Sequence, residues 1–272
     1  MLYDKWADRW MLAQVTVAAP YTMCLAVSTT RNPLGTYHRW ALELSTTTLY
    51  DNPRLSIWND GYFVTFNRID FAAFRGAAVL ALNRNDALAG SPLRAQEFHT
   101  SPRQFMLMPA DVDSWLRPDA GAPLPLVSLG TTTSLDCYQL TVDWAEAANS
   151  VLDGPASLAV APFSQLCSHA ASCVPQPGTS MGLEGLGAFF MYRFAYRRFP
   201  NQDAAVISNA VATDTGAGIR WYELRNLTGK MSDVVVYQQG TYAPDETWRW
   251  MGTMAMDKVG VRLASFRGGN RQ

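Results

Sequence analysis

Histidine is scarce in this chain. Only His38, His99 and His169 occur, far apart, and no His-Glu-x-x-His spacing is present, which excludes the usual zinc-hydrolase helix. Gly-x-Ser-x-Gly is also missing, so the nucleophile elbow of an α/β-hydrolase is excluded. The glycine-rich stretch Gly182-Leu183-Glu184-Gly185-Leu186-Gly187 lies in no strand–helix–strand pattern and is no phosphate loop. No cofactor motif is found. Charge is sparse and balanced, with 22 Lys and Arg against 23 Asp and Glu and no basic tract. Such a chain lacks the electrostatic footprint of a nucleic-acid or anionic-membrane binder. The longest apolar stretch, Phe71 to Leu82, is broken by Arg75 and is too short to span a bilayer, so membrane insertion is not expected. No basic start with an apolar core marks a signal peptide. The chain opens at once on strand-like or turn-like Tyr3-Asp4-Lys5-Trp6, so a preceding segment is expected.

Helical periodicity is equally rare. Only Asp86 to Ala89 and Asp143 to Ser150 have helix-like or turn-like composition, and neither sustains a 3.6-residue period. Strand signals are dense by contrast. The run from Pro53 to Phe66 reads as a β-hairpin turning at Asn59-Asp60-Gly61, and Trp248 to Val261 as a degenerate copy turning at Asp257-Lys258-Val259-Gly260. Hydrophobic residues make up 48% of the chain and aromatics 12%, enough to bury a sizeable core. Further strand candidates group in fours at about residues 53–100, 104–162 and 187–242, with a partial group on either side. The reading is all-β: a β-propeller of about five blades, first and last incomplete, in one domain over residues 1–272. The Pro-, Gly- and Ser-rich stretches 116–123 and 166–187 are expected to be long exposed loops that build a binding face.

Four cysteines occur. Cys167 and Cys173 flank Ser-His-Ala-Ala-Ser, a spacing that suits a small disulfide hoop in preference to two free thiols. A metal there would have His169 as its only added ligand, so no metal site is assigned. Cys24 and Cys137 sit in apolar strand-like runs and read as buried thiols. The hoop favours an extracellular or periplasmic setting.

Several segments carry a likeness. Leu2 to Trp10, Asn52 to Tyr62, Met191-Tyr192-Arg193-Phe194-Ala195-Tyr196-Arg197, Ile219 to Arg225 and Tyr237 to Asp245 together resemble a family of secreted, largely uncharacterised bacterial proteins. The resemblance covers most of the chain and implies a propeller-like fold and an extracellular setting, not a reaction. Family members begin well before Met1 and continue past the Asp257 turn, and the stretch from Leu263 to Gln272 departs from their pattern. An incomplete ring is therefore expected.

In a propeller the innermost strands line a channel, and the loops leaving it form the ligand face. Inner-strand candidates bring Asp51 and Arg54, Asp111 and Asp113, Tyr192 and Arg193, and Arg249 and Trp250 to that region. Aromatics can stack on the apolar faces of sugars, and two carboxylates can act as acid and nucleophile or base at about 5 or 6.5–9.5 Å separation. Asp51, Asp111 and Glu184 are the candidate catalytic acids. Arg54, Asp113, Tyr192, Arg193, Arg249 and Trp250 are the candidate ligand contacts. Taken singly, the residues have blander roles. Asp51 precedes Asn52-Pro53 as a turn residue would, and Asp111 and Asp113 follow Pro109 at a strand end. An arginine trio of Arg54, Arg193 and Arg249 could clamp a carboxylate, but Ser56 to Gly61 lacks the spacing of a sialidase box. Calcium at Asp111 and Asp113 lacks further ligands. The favoured function is an extracellular binding or interaction module for a carbohydrate or a protein surface. A glycoside-active hydrolase or lyase is the alternative, and a truncated product without independent function a second one.

Overall fold

A computed structural model describes residues 1–71, 73–168 and 172–269. Its strands form successive antiparallel meanders. The first comprises β1 (Leu2–Asp4), β2 (Arg9–Val15), β3 (Tyr21–Ser28) and β4 (Tyr37–Ser45). The second comprises β5 (Thr48–Ile57), β6 (Gly61–Asp70), β7 (Ala73–Asn83) and β8 (Ala95–His99), with helix α1 (Arg84–Ala89) between the last two. The third runs through β9 (Met108–Val112), β10 (Leu124–Thr131), β11 (Ser134–Thr141) and β12 (Val151–Ala159). After the short β13 (Ser164–Gln165) and the hairpin of β14 (Ser172–Gln176) and β15 (Thr179–Glu184), a fourth meander follows. It consists of β16 (Phe190–Arg198), β17 (Asp203–Thr213), β18 (Gly216–Arg225) and β19 (Val235–Tyr242). The hairpin of β20 (Trp248–Met256) and β21 (Arg262–Gly269) comes last.

The burial pattern explains how these sheets stack. In β3, Met23, Leu25 and Val27 are buried and Cys24 between them is exposed, the alternation of a sheet with one packed face. The second sheet is packed on both faces. Tyr62, Val64, Phe66, Leu80 and Leu82 join the core shared with the first sheet. Phe63, Val79 and Ala81 join the core shared with the third and fourth. β17 divides in the same way, with Ala205 and Ile207 on one core and Ala204 and Val206 packed with Met254 and Met256 of β20. Face-to-face stacking of consecutive meanders is a propeller-like arrangement.

The first strands of successive units touch one another. β1 lies against β5, β5 against β9, and β16 against β20. β9 and β16 pair in parallel, Phe194 opposite Ala110 and Tyr196 opposite Val112, which fuses the third and fourth meanders into one nine-stranded sheet that includes β13.

Three expectations change. The first sheet, expected to be incomplete, has four strands, and three-residue β1 is too short to show a period in the sequence. Asp111, expected at a strand end, is inside a strand, because β9 spans Met108–Val112. Asp51 and Arg54 also lie within a strand. Asn52, in the left-handed region at φ 54°, makes a bulge between them that preserves the pairing of β5 with β6. Both expected hairpins are present. Trp58 N–H donates to the Gly61 carbonyl at 3.0 Å in the first turn, and Asp257 N–H to the Val261 carbonyl at 2.9 Å in the second.

Candidate functional site

At one end of the inner strands, a cavity of about 250 Å³ is lined by Tyr3, Lys5, Trp6, Asp111, Asp113 and Arg193, among others. Two strands and a turn supply the charged residues named. β9 carries Asp111 and leads into Asp113, β16 carries Arg193, and the turn after β1 carries Lys5 and Trp6. The parallel β9–β16 pairing sets the acids beside the arginine.

Arg193 engages both acids. Its Nε lies 2.9 Å from Asp111 Oδ2, without its N–H aimed at that oxygen, and its Nη2 donates to the Asp113 carboxylate. Asp111 also accepts from the Ile57 N–H at 2.9 Å and is almost wholly buried. Burial pushes its carboxyl pKa up, against the opposing pull of Arg193, the Ile57 N–H and Lys5. Lys5 Nζ donates to the Val112 carbonyl at 2.9 Å. Desolvation lowers the Lys5 pKa to about 8, with Asp111 acting against it and Arg193 and Arg197 adding to it. Tyr192 donates its hydroxyl to the Leu55 carbonyl at 3.1 Å, and burial raises the pKa of that phenol.

In the wall of the cavity Asp4 is fully buried and fully engaged. Arg84 donates to it from Nε at 2.6 Å and Nη2 at 3.2 Å, Tyr62 Oη donates at 2.7 Å, and the N–H groups of Trp6 and Ala7 donate at 3.1 Å each. Burial alone would raise its pKa, but Arg84, Tyr62 and the Ala7 N–H together hold it below the ordinary value. Asp4 therefore ties β1 to the second sheet, and its oxygens are already committed. Sequence reasoning did not single it out, nor Lys5 and Trp6 as site residues. The motif Tyr-Asp-Lys-Trp at the start was the only signal that could have found them.

Of the other expected site residues, Asp51 and Arg54 lie near Tyr192, and the rest lie elsewhere. Asp51 accepts from the Asn52 side-chain amide at 2.9 Å. Arg54 has its pKa lowered by burial, opposed by Tyr192 and Asp51, and its Nε has no hydrogen-bond partner. Glu184 is exposed at the end of β15, opposite Ser172, and makes no ion pair among the described residues. Arg249 is held by Asp245 through two contacts of 2.8 Å, and Trp250 packs with Leu166 and Val174. Neither contributes to the cavity between β1, β9 and β16. The expectation that all these residues converge is corrected: the structure joins Asp111, Asp113 and Arg193 there and leaves Glu184, Arg249 and Trp250 elsewhere. A larger groove of about 1100 Å³ runs by the disulfide, between Leu166, Thr213 and Trp248. It brings together fewer paired charges, so the smaller mouth is the better candidate.

Cys167 and Cys173 form a disulfide, with Cα atoms 5.4 Å apart. Of the other cysteines, Cys137 is buried as expected and Cys24 is exposed, because it lies on the unpacked face of β3. His169 is outside the described residues. Among the described residues no three His, Cys, Asp or Glu side chains gather as a metal would require, and no helix is long and apolar enough to cross a membrane.

No family model matches the chain, and no curated protein matches it. A solved structure of an endo-arabinase from Bacteroides thetaiotaomicron superposes over 97% of this chain and 86% of that chain, at 12% identity and a TM-score of 0.45. Nothing about this chain's activity follows from a likeness of that degree.

Proposed function

We propose that the stacked units form a five-bladed β-propeller in one domain, and that the chain works as a binding or interaction module with a glycan as its favoured ligand. Four four-stranded meanders and the closing β20–β21 hairpin, with contacts of β1 on β5, β5 on β9 and β16 on β20, support the five-fold reading. The Cys167–Cys173 disulfide supports an extracellular or periplasmic setting, in keeping with the resemblance to secreted bacterial proteins.

The observation that carries the binding reading is the engagement of both mouth acids by one arginine. Glycoside hydrolysis needs two carboxyl groups free to face the scissile bond from opposite sides. Here Asp111 and Asp113 sit on the same guanidinium, and the third expected acid, Glu184, is exposed on a separate hairpin. Polar groups fixed by ion pairs beside Tyr3 and Trp6 suit recognition of hydroxylated sugar rings.

One observation favours a glycoside-active enzyme as the second reading. Burial raises the Asp111 pKa, the direction a general acid requires. Asp51 would be its partner and Arg54 and Arg193 its charge stabilisers.

A glycan-array screen beside a reducing-end release assay on the same polysaccharides separates the two. Binding without release is expected. Release abolished by Asp111→Asn in a folded variant would overturn the binding reading in favour of the enzyme. Neither binding nor release would point to a protein surface as the ligand and overturn the glycan assignment.

A further inference from the structure

One face of the first sheet is open. Met23, Leu25 and Val27 of β3 and Trp40, Leu42 and Leu44 of β4 turn to the core, where the contacts with β5 and α1 lie. Strand alternation sets their neighbours on the opposite face. There Leu12, Gln14, Cys24, Arg39, Ala41 and Glu43 are exposed, and a shallow groove of about 630 Å³ runs between Leu12, Cys24, Ala26 and Ala41. Pairing sets these residues in rows across β2, β3 and β4. Leu12, Ala26 and Arg39 form one row, and Gln14, Cys24 and Ala41 the next. Thr22 and Glu43 follow in a third. The β20–β21 hairpin, the last unit of the series, packs on the fourth meander and leaves this face exposed.

Arg39 and Glu43 carry the charge of these rows, and neither makes an ion pair among the described residues. They stand four residues apart on β4, about 13 Å along the strand, too far to meet within one chain. The row of Cys24 and Ala41 lies midway between them. A two-fold axis across the strands at that row turns β4 of one copy end for end over β4 of another. Arg39 of each copy then faces Glu43 of the other, and the small Cys24, Ala26 and Ala41 side chains let the two sheets approach. We propose that this face docks a second copy of the chain, in a symmetric sheet-on-sheet dimer centred on the Gln14–Cys24–Ala41 row. The charge pattern selects a second copy over an unrelated protein, since one surface supplies both members of each ion pair. The face is only three strands wide, less than a permanent dimer buries, so the association is weak and concentration-dependent. The proposal is independent of the glycan reading.

The test is sedimentation velocity of the intact chain from about 1 to about 300 µM, where a reversible monomer–dimer equilibrium is expected. Arg39→Glu and Glu43→Arg, both at exposed positions that leave the fold intact, should each weaken dimerisation about tenfold or more. In either variant like charges face each other in both pairs. The double variant Arg39→Glu/Glu43→Arg exchanges the charges and should restore the parent affinity. An equimolar mixture of the two single variants should form a heterodimer, because each then meets its opposite charge twice. A short bis-maleimide should join two copies through Cys24 at the higher concentrations, with Cys137 buried and Cys24→Ser removing the product. A monomer across the whole range would overturn the proposal and leave the face to a different partner. A dimer that the single variants do not weaken, or that the double variant does not restore, would place the contact on another surface and overturn it as well.

Discussion

One guanidinium holds two acids: Arg193 Nε lies 2.9 Å from Asp111 Oδ2, and its Nη2 reaches the Asp113 carboxylate. Two like charges brought together by β9 would repel in a partly dry site, and the arginine delivered by the neighbouring β16 offsets that repulsion. The same contact that permits the acids to be there restrains them from acting freely.

Removing that arginine should be severe. Arg193→Met leaves a buried and a partly buried carboxylate without their cation, at a cost of about 3–5 kcal/mol at neutral pH. The Asp111 carboxyl is raised by burial, so its neutral form suits the fold and its ionised form costs stability as pH rises through its folded value. The variant should therefore recover part of the loss on acidification from pH 7 toward pH 4. Urea unfolding at both values checks this. An equal deficit at the two pH values would mean that the arginine acts through packing instead.

Asp4 behaves in the opposite sense. Its pKa is held below the ordinary 3.8, so its contribution is fully present above that value and is lost as pH falls through the lower folded value. Acid unfolding of the parent should begin below about pH 4 from this source. Asp4→Asn leaves Arg84 buried without its counter-charge and should cost about 3–5 kcal/mol at pH 7, read as a lowered denaturation midpoint.

Thiol reactivity should report three separate environments. With the Cys167–Cys173 bond intact, exposed Cys24 should label in the folded protein. Cys137, whose pKa burial pushes up to about 12, should label only after unfolding. Mild reduction should add Cys167 and Cys173 and lower stability by about 2 kcal/mol, the entropy of a short loop. Labelling of Cys167 or Cys173 before reduction would refute the disulfide.

Backbone geometry gives a fourth expectation. Gly76 has φ +90°, and a Cβ there would come 2.5 Å from the Ser101 carbonyl oxygen. Gly76→Ala combines a conformation that L residues avoid with a clash against main chain, so a loss of about 1–3 kcal/mol is expected. An unchanged melting midpoint would show that the loop around Ser101 yields freely.

The sequence by itself determined the all-β class, because helical periods are almost absent and short apolar runs such as Met23 to Ser28 recur between turn residues. The hairpin turns at Asn59-Asp60-Gly61 and Asp257–Gly260 were legible for the same local reason, as was the pairing of Cys167 with Cys173 across a short loop. The buried runs of β6 and β17 were legible as strands too, but only the stacked sheets show that each is packed on both faces. Short β1 and the β14–β15 hairpin have too few residues for a period to be read. The membership of the site was decided in space. Asp111 and Arg193 are distant along the chain and meet through a parallel β9–β16 pairing that no local pattern encodes. Glu184, Arg249 and Trp250 were assigned to the same funnel by residue type, yet chain direction after the disulfide carries them to another part of the molecule. Periodicity depends on neighbours within one strand, whereas a site depends on which strands become neighbours, and only the packing of the sheets fixes that.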